Sequence, residues 1–95
     1  MTLAEFKETL KDAVPPPMAP ALVALWRDAK GDWDGAHTIA QDVPDPVGAL
    51  VHAYLHRKEG DQSNAAYWYR RAGRTVAKDS LEDEWARIVA ELLAG

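Results

Sequence analysis

HAYLHRKEGDQSNAAYWYRRAGR, residues 52–74, decides how this chain folds. In its middle "EGDQS" is a turn, with Asp61 or Ser63 placed to cap the helix that follows. After the turn the residues split by helical spacing. Ala65, Trp68, Tyr69, Ala72 and Val76 make one face, assigned to the core, and Tyr67, Arg70, Arg71, Arg74 and Lys78 make the other. Before the turn, Val47, Leu50, Val51, Tyr54 and Leu55 form an apolar side, while His52 and His56 lie on the opposite side with Ala49 and Ala53. A helix without a strongly polar face is a central one. The stretch reads as helix, turn, helix.

Working outward, the same signals recur and no strand is readable. Thr2 and Glu5 form a capping box for a helix carrying Leu3, Phe6, Leu10, Ala13 and Val14. "VPPPMAP" ends it, because proline donates no backbone hydrogen bond and restricts the residue before it. Pro20 suits the first turn of a helix running through Leu22, Leu25 and Trp26 to about Lys30. "GDWDG" is a turn and a new start, followed by Ala36, Ile39, Ala40 and Val43. Asp45-Pro46 reads as a cap followed by a first-turn proline, opening the helix that ends near Glu59. Ser80 with Asp83 caps the last helix, whose stripe is Leu81, Trp85, Ile88, Val89, Leu92 and Leu93.

Shifting the chain by 29 residues superposes Ala24 on Ala53, Gly31-Asp32 on Gly60-Asp61, and Ala36 on Ala65. This layout resembles the tetratricopeptide (TPR) and Sel1-like helical-hairpin repeats over about residues 21–74. The period falls short of their usual ~34 residues, and two copies are fewer than a solenoid prefers. The resemblance implies an all-α, five-helix array in one domain, residues 1–95. Two hairpins, about 21–43 and 47–74, are flanked by capping helices at about 2–14 and 80–94. "DAKGDWDGAHTIAQD" and the 52–74 stretch are also similar to a group of small bacterial proteins without an assigned activity. That likeness implies a bacterial source and brings no chemistry.

Composition narrows the function classes. Of the 95 residues 47% are hydrophobic and 27% charged, as in a folded domain. There is no cysteine, which excludes disulfides and thiolate metal sites. No apolar run approaches the ~18 residues of a membrane helix, and the first residues do not read as a signal peptide, so the expected location is cytoplasmic. The net charge of −4 hides an asymmetry: His52 to Lys78 holds six Lys/Arg against two Asp/Glu, the rest five against thirteen. Overall acidity argues against nucleic acid, and the local basic segment favours a small anion or an acidic partner.

Two places carry potential chemistry. His52 and His56, four apart, stand one helical turn from each other, and His37 lies on the helix expected to pack alongside. Three imidazoles, with Asp34 or Glu59 adding a carboxylate, suit zinc, nickel or copper. No glutamate follows the first histidine, so the zinc-hydrolase motif is missing. The reading put first, however, is a set of structural histidines bonded to a backbone carbonyl, a carboxylate or a Tyr or Trp, with the metal site as its alternative. The second place is Tyr67, Arg70, Arg71 and Arg74, an arginine stripe able to clamp a carboxylate or phosphate, or else a solvated helix face paired with Glu82, Asp83 and Glu84. Of the four tryptophans, Trp85 and Trp68 are assigned to the core and Trp33 to packing on the neighbouring hairpin.

The repeat resemblance implies a non-enzymatic protein-interaction or scaffold module without a cofactor. Its groove, on the first helices of the hairpins, would be lined by Leu25, Asp28, Leu50, Tyr54, Arg57 and Lys58, the last two favouring acidic peptide or protein partners. A metal- or ligand-binding protein using His37, His52 and His56 is the alternative. An enzyme would need a base or nucleophile that the sequence does not announce. A two-repeat array also leaves end faces through which a homodimer could form.

Overall fold

Local capping chemistry sets the helix boundaries. In a computed structural model describing residues 1–95, Thr2 and Glu5 exchange the two hydrogen bonds of a capping box and open α1, Leu3–Glu8. A single 3₁₀ turn, Thr9–Lys11, follows. The remaining helices are α2 (Pro20–Ala29), α3 (Trp33–Ala40), α4 (Val47–Glu59), α5 (Gln62–Arg71) and α6 (Leu81–Leu93). The chain is all-helical, with six α-helices where five were expected. The difference is one of counting, since two hairpins and two flanking helices already make six. Gly31 turns left-handed at φ +87°, and Asp32 caps a fresh helix by accepting from the Gly35 N–H at 2.9 Å.

The same device joins α4 to α5. Gly60 sits at φ +91°, and Asp61, rather than Ser63, accepts from the Asn64 N–H at 3.2 Å. In both turns the aspartate N–H reaches back to the carbonyl five residues earlier, Arg27 or His56, at 2.9 Å. Only glycine takes such a φ without a Cβ clash. Replacing Asp32 by alanine removes an exposed cap and is expected to cost about 1 kcal/mol, a fall in melting temperature of roughly 4–8 °C. An unchanged thermal melt would remove this account of the turn.

Three local expectations are corrected. The first helix stops at Glu8 and its 3₁₀ turn at Lys11, short of residue 14, and Val14 is exposed. The Lys30 ammonium binds the Leu10 and Asp12 carbonyls where the helix gives out. Pro46 occupies the cap position of α4 and its first turn has no side-chain cap, because the Asp45 carboxylate turns to Arg71 instead. Val76 lies past the end of α5 and is exposed rather than core.

The two hairpins, α2–α3 and α4–α5, pack side by side through α3 and α4. Helix α4 is buried continuously from Gly48 to His56. Alanines at its contacts, Ala49 and Ala53, meet Ala36 and Ala65 in one core cluster and let the helices approach closely. The terminal helices close the other side. Trp85 of α6 donates its indole N–H to the Leu25 carbonyl at 3.0 Å and packs on Phe6 of α1. The radius of gyration is 12.3 Å, that of a compact domain of this length.

Candidate metal centre

The packing of α3 on α4 brings all three histidines together. His52 and His56 stack on one side of α4 with ring centroids 5.9 Å apart. His37 of α3 meets both edge-on, at 4.9 Å from His52 and 5.2 Å from His56. One ring nitrogen from each lies within 4.8 Å of the other two. His52 and His56 are buried and His37 is half-buried.

Two tryptophans frame the cluster. Trp33 stacks on His37 at 4.9 Å and is anchored by its indole N–H on the Leu55 carbonyl at 2.8 Å. Trp68 stacks on His52 at 4.1 Å, so this residue, expected in the apolar core, packs against an imidazole. The frame fixes ring planes and keeps most of the cluster dry.

The histidines differ in their polar partners. His56 Nδ1 lies 2.6 Å from a Glu59 carboxylate oxygen. With Nδ1–H donated there, Nε2 keeps the free lone pair, the arrangement by which carboxylates orient metal-binding imidazoles. His52 Nδ1 is buried and finds no hydrogen-bond partner in the protein. An orphaned buried polar atom costs about 1–3 kcal/mol. Burial, followed by the nearby His37 and His56, pushes His52 down to about 4, and burial lowers His37 as well. Both are therefore neutral at pH 7, the protonation state that a metal ligand requires. Asp34, four residues after Lys30 on the solvent side, makes no hydrogen bond to the cluster, and acts on His37 only at a distance.

The arginine stripe is exposed, as its spacing indicates, but its ion pairs differ from those expected. Arg71 binds Asp45 through Nε at 3.1 Å and Nη2 at 2.6 Å, and lies over the Trp68 ring at 4.6 Å. Arg74 pairs with Glu91 at 2.5 Å, and Arg70 forms no ion pair. None of the three reaches Glu82, Asp83 or Glu84. Tyr67 is exposed, with its hydroxyl 3.3 Å from Arg71.

Most of the residues expected to line a groove lie beneath α6, while Lys58 stays exposed. Leu25, Leu50, Tyr54 and Asp28 are buried. Tyr54 donates to Asp28 at 3.1 Å, and Lys58 donates to the same carboxylate at 3.0 Å. Arg57 is bound to Glu84 of α6 at 2.8 Å and to the Asp79 carbonyl. The cations expected to attract an acidic partner thus hold carboxylates of the chain itself.

Glu84, expected on the surface as a partner of the arginine stripe, is buried and pairs with Arg57 instead. It is 0% exposed and also accepts from the Tyr69 hydroxyl at 2.5 Å. Its signal was present: it sits four residues before Ile88 and three after Leu81, inside the apolar stripe of α6. The stacking of Trp33 on His37 was equally within reach, since the two are four apart on one helix. The stacking of Trp68 on His52 had no signal in the chain. No family model, no curated protein and no solved structure matches this sequence.

Proposed function

We propose that the protein binds a divalent transition metal, zinc in the first instance, through His37, His52 and His56. The observation that carries this reading is the convergence of three imidazole nitrogens, one per residue, within 4.8 Å. Tetrahedral zinc with nitrogen ligands at 2.0–2.1 Å needs edges of about 3.3 Å, so the longest side closes by at most about 1.5 Å. A metal taken by His52 through Nδ1 would satisfy that orphaned nitrogen, and with the metal on Nε2 of His56, Glu59 would hold that ring through Nδ1. Without cysteine the donor set favours zinc, nickel or copper over softer ions.

The test is a thermal melt against zinc and nickel at pH 7, alongside calorimetric titration. At a hundredfold excess over Kd the native state gains about 2.7 kcal/mol, which raises the melting temperature by roughly 10 °C or more. His52→Ala should abolish the response, and Glu59→Gln should weaken affinity about 10–100-fold. No stabilisation at micromolar metal would leave the three histidines as a packed aromatic cluster and nothing more.

A second reading keeps the TPR-like scaffold, with an acidic peptide as its partner. What supports it is the outer face of α5, where Tyr67 is exposed and Arg70 has no ion pair. The site then moves from the groove to that face. Fluorescence anisotropy with a labelled oligoglutamate peptide checks it, and binding that ignores Arg70→Glu would refute it.

A further inference from the structure

A cleft of about 250 Å³ opens beside the histidines, between the α3–α4 loop and α5. Its polar walls are Gln41, Asp45, His52 and Arg71, and its flat wall is Trp68. Of the three histidines only His52 lines it. Three protein ligands leave a tetrahedral metal one open position. The cleft meets the histidine cluster on the His52 flank.

The charge there selects the ligand. Neutral imidazoles leave the two positive charges of a divalent metal uncompensated, and Glu59 offsets only one of them. Asp45 neutralises Arg71, but both guanidinium bonds go to one oxygen, Oδ2. Arg71 thus donates through Nε and Nη2 to a single acceptor and through Nη1 to Tyr67, leaving N–H groups over for another anion. The volume is about eight waters at ~30 Å³ each, below the ~300 Å³ of the smallest drug-sized sites.

Building on the metal reading, we propose that this cleft takes a small carboxylate, one oxygen on the metal's open position and the other facing Arg71, with Trp68 as its wall. Gln41, whose side-chain amide makes no bond within the protein, stands at the rim as a further donor.

Cobalt(II) separates the two steps, because cobalt on imidazoles absorbs in the visible and its bands move when a ligand enters the coordination shell. Cobalt alone should give saturable bands. Sodium acetate should then shift them saturably. Arg71→Gln should weaken acetate about tenfold, the loss of one charge-assisted contact, while cobalt alone still gives saturable bands. Arg71 is a surface residue, so this variant folds. Asp45→Asn should do the opposite and tighten acetate, since it removes the anion that competes for Arg71. Absent cobalt bands overturn the metal centre and this inference together. Bands that acetate leaves unmoved, or that inorganic phosphate moves and acetate does not, overturn the carboxylate cleft alone. Acetate binding equal in wild type and Arg71→Gln removes Arg71 from it.

Discussion

Glu84→Ala is expected to destabilise the protein by about 3–5 kcal/mol, the cost of removing one partner from a buried ion pair. The carboxylate is completely buried and holds Arg57 at 2.8 Å and the Tyr69 hydroxyl at 2.5 Å. Alanine leaves a guanidinium that is only 14% exposed with just the Asp79 carboxylate, 3.9 Å away and already held by Arg87, and a buried phenol without an acceptor. Burial and the hydrogen bond to Glu84 already push the Tyr69 hydroxyl well above its ordinary value, so the phenol remains a donor at any working pH. For a domain whose total stability is about 5–15 kcal/mol, the melting temperature should fall by roughly 12 °C or more. The triple replacement Arg57→Met, Tyr69→Phe, Glu84→Met removes every member at once and should recover most of the loss, because a well-packed apolar set of similar volume avoids the desolvation cost. Urea denaturation measures both variants. A loss below about 1 kcal/mol for Glu84→Ala would mean that water reaches this pair and α6 is not locked to the second hairpin.

The metal-free protein should lose about 3 kcal/mol of stability between pH 6.5 and about 4 through His52 alone. In the folded state burial, with His37 and His56 beside it and Arg71 adding to their effect, holds His52 down to about 4 against an ordinary 6.5, while Asp45 pulls weakly the other way. The unfolded chain therefore binds a proton in this window that the folded chain refuses. Stability rises with pH wherever the unfolded state holds more protons, so the contribution is complete above pH 6.5 and lost as pH falls toward 4. At 1.36 kcal/mol per unit the gap gives the figure of about 3. His37, also lowered by burial, adds in the same direction. Urea melts from pH 7 to 5 avoid most carboxylate titration. His52→Gln should flatten this limb, and parallel profiles for wild type and variant would show that His52 is solvated in the folded state. Saturating zinc should steepen the wild-type profile, because protons and metal compete for the same nitrogens.

Much of the fold was legible because its signals are local. Thr2–Glu5, Gly31-Asp32, Gly60-Asp61 and Ser80–Asp83 each satisfy backbone groups within four residues, so spacing alone reveals them. The apolar stripe of α6 and the paired histidines of α4 follow from the helical period. Where the local reading failed, a distant partner had intervened. Lys30 took the carbonyls that end the first helix early, and Arg71 took the Asp45 side chain that spacing offers to α4 as a cap.

The candidate site divides along the same line. The sequence by itself determined that His52 and His56 share one side of a central helix and that no cysteine competes with them. It also determined that the chain folds as helices joined by Gly-Asp turns. Only the tertiary structure decided that His37 closes the triad, that Trp68 covers His52, and that one nitrogen of His52 is buried without a partner. It likewise decided that α6 covers the first helices of both hairpins, turning expected groove cations into internal ion pairs. Caps and periodicity act over a few residues and are written into neighbouring letters. Contacts between α3, α4, α5 and α6 depend on how whole apolar faces dock, and no single letter records that.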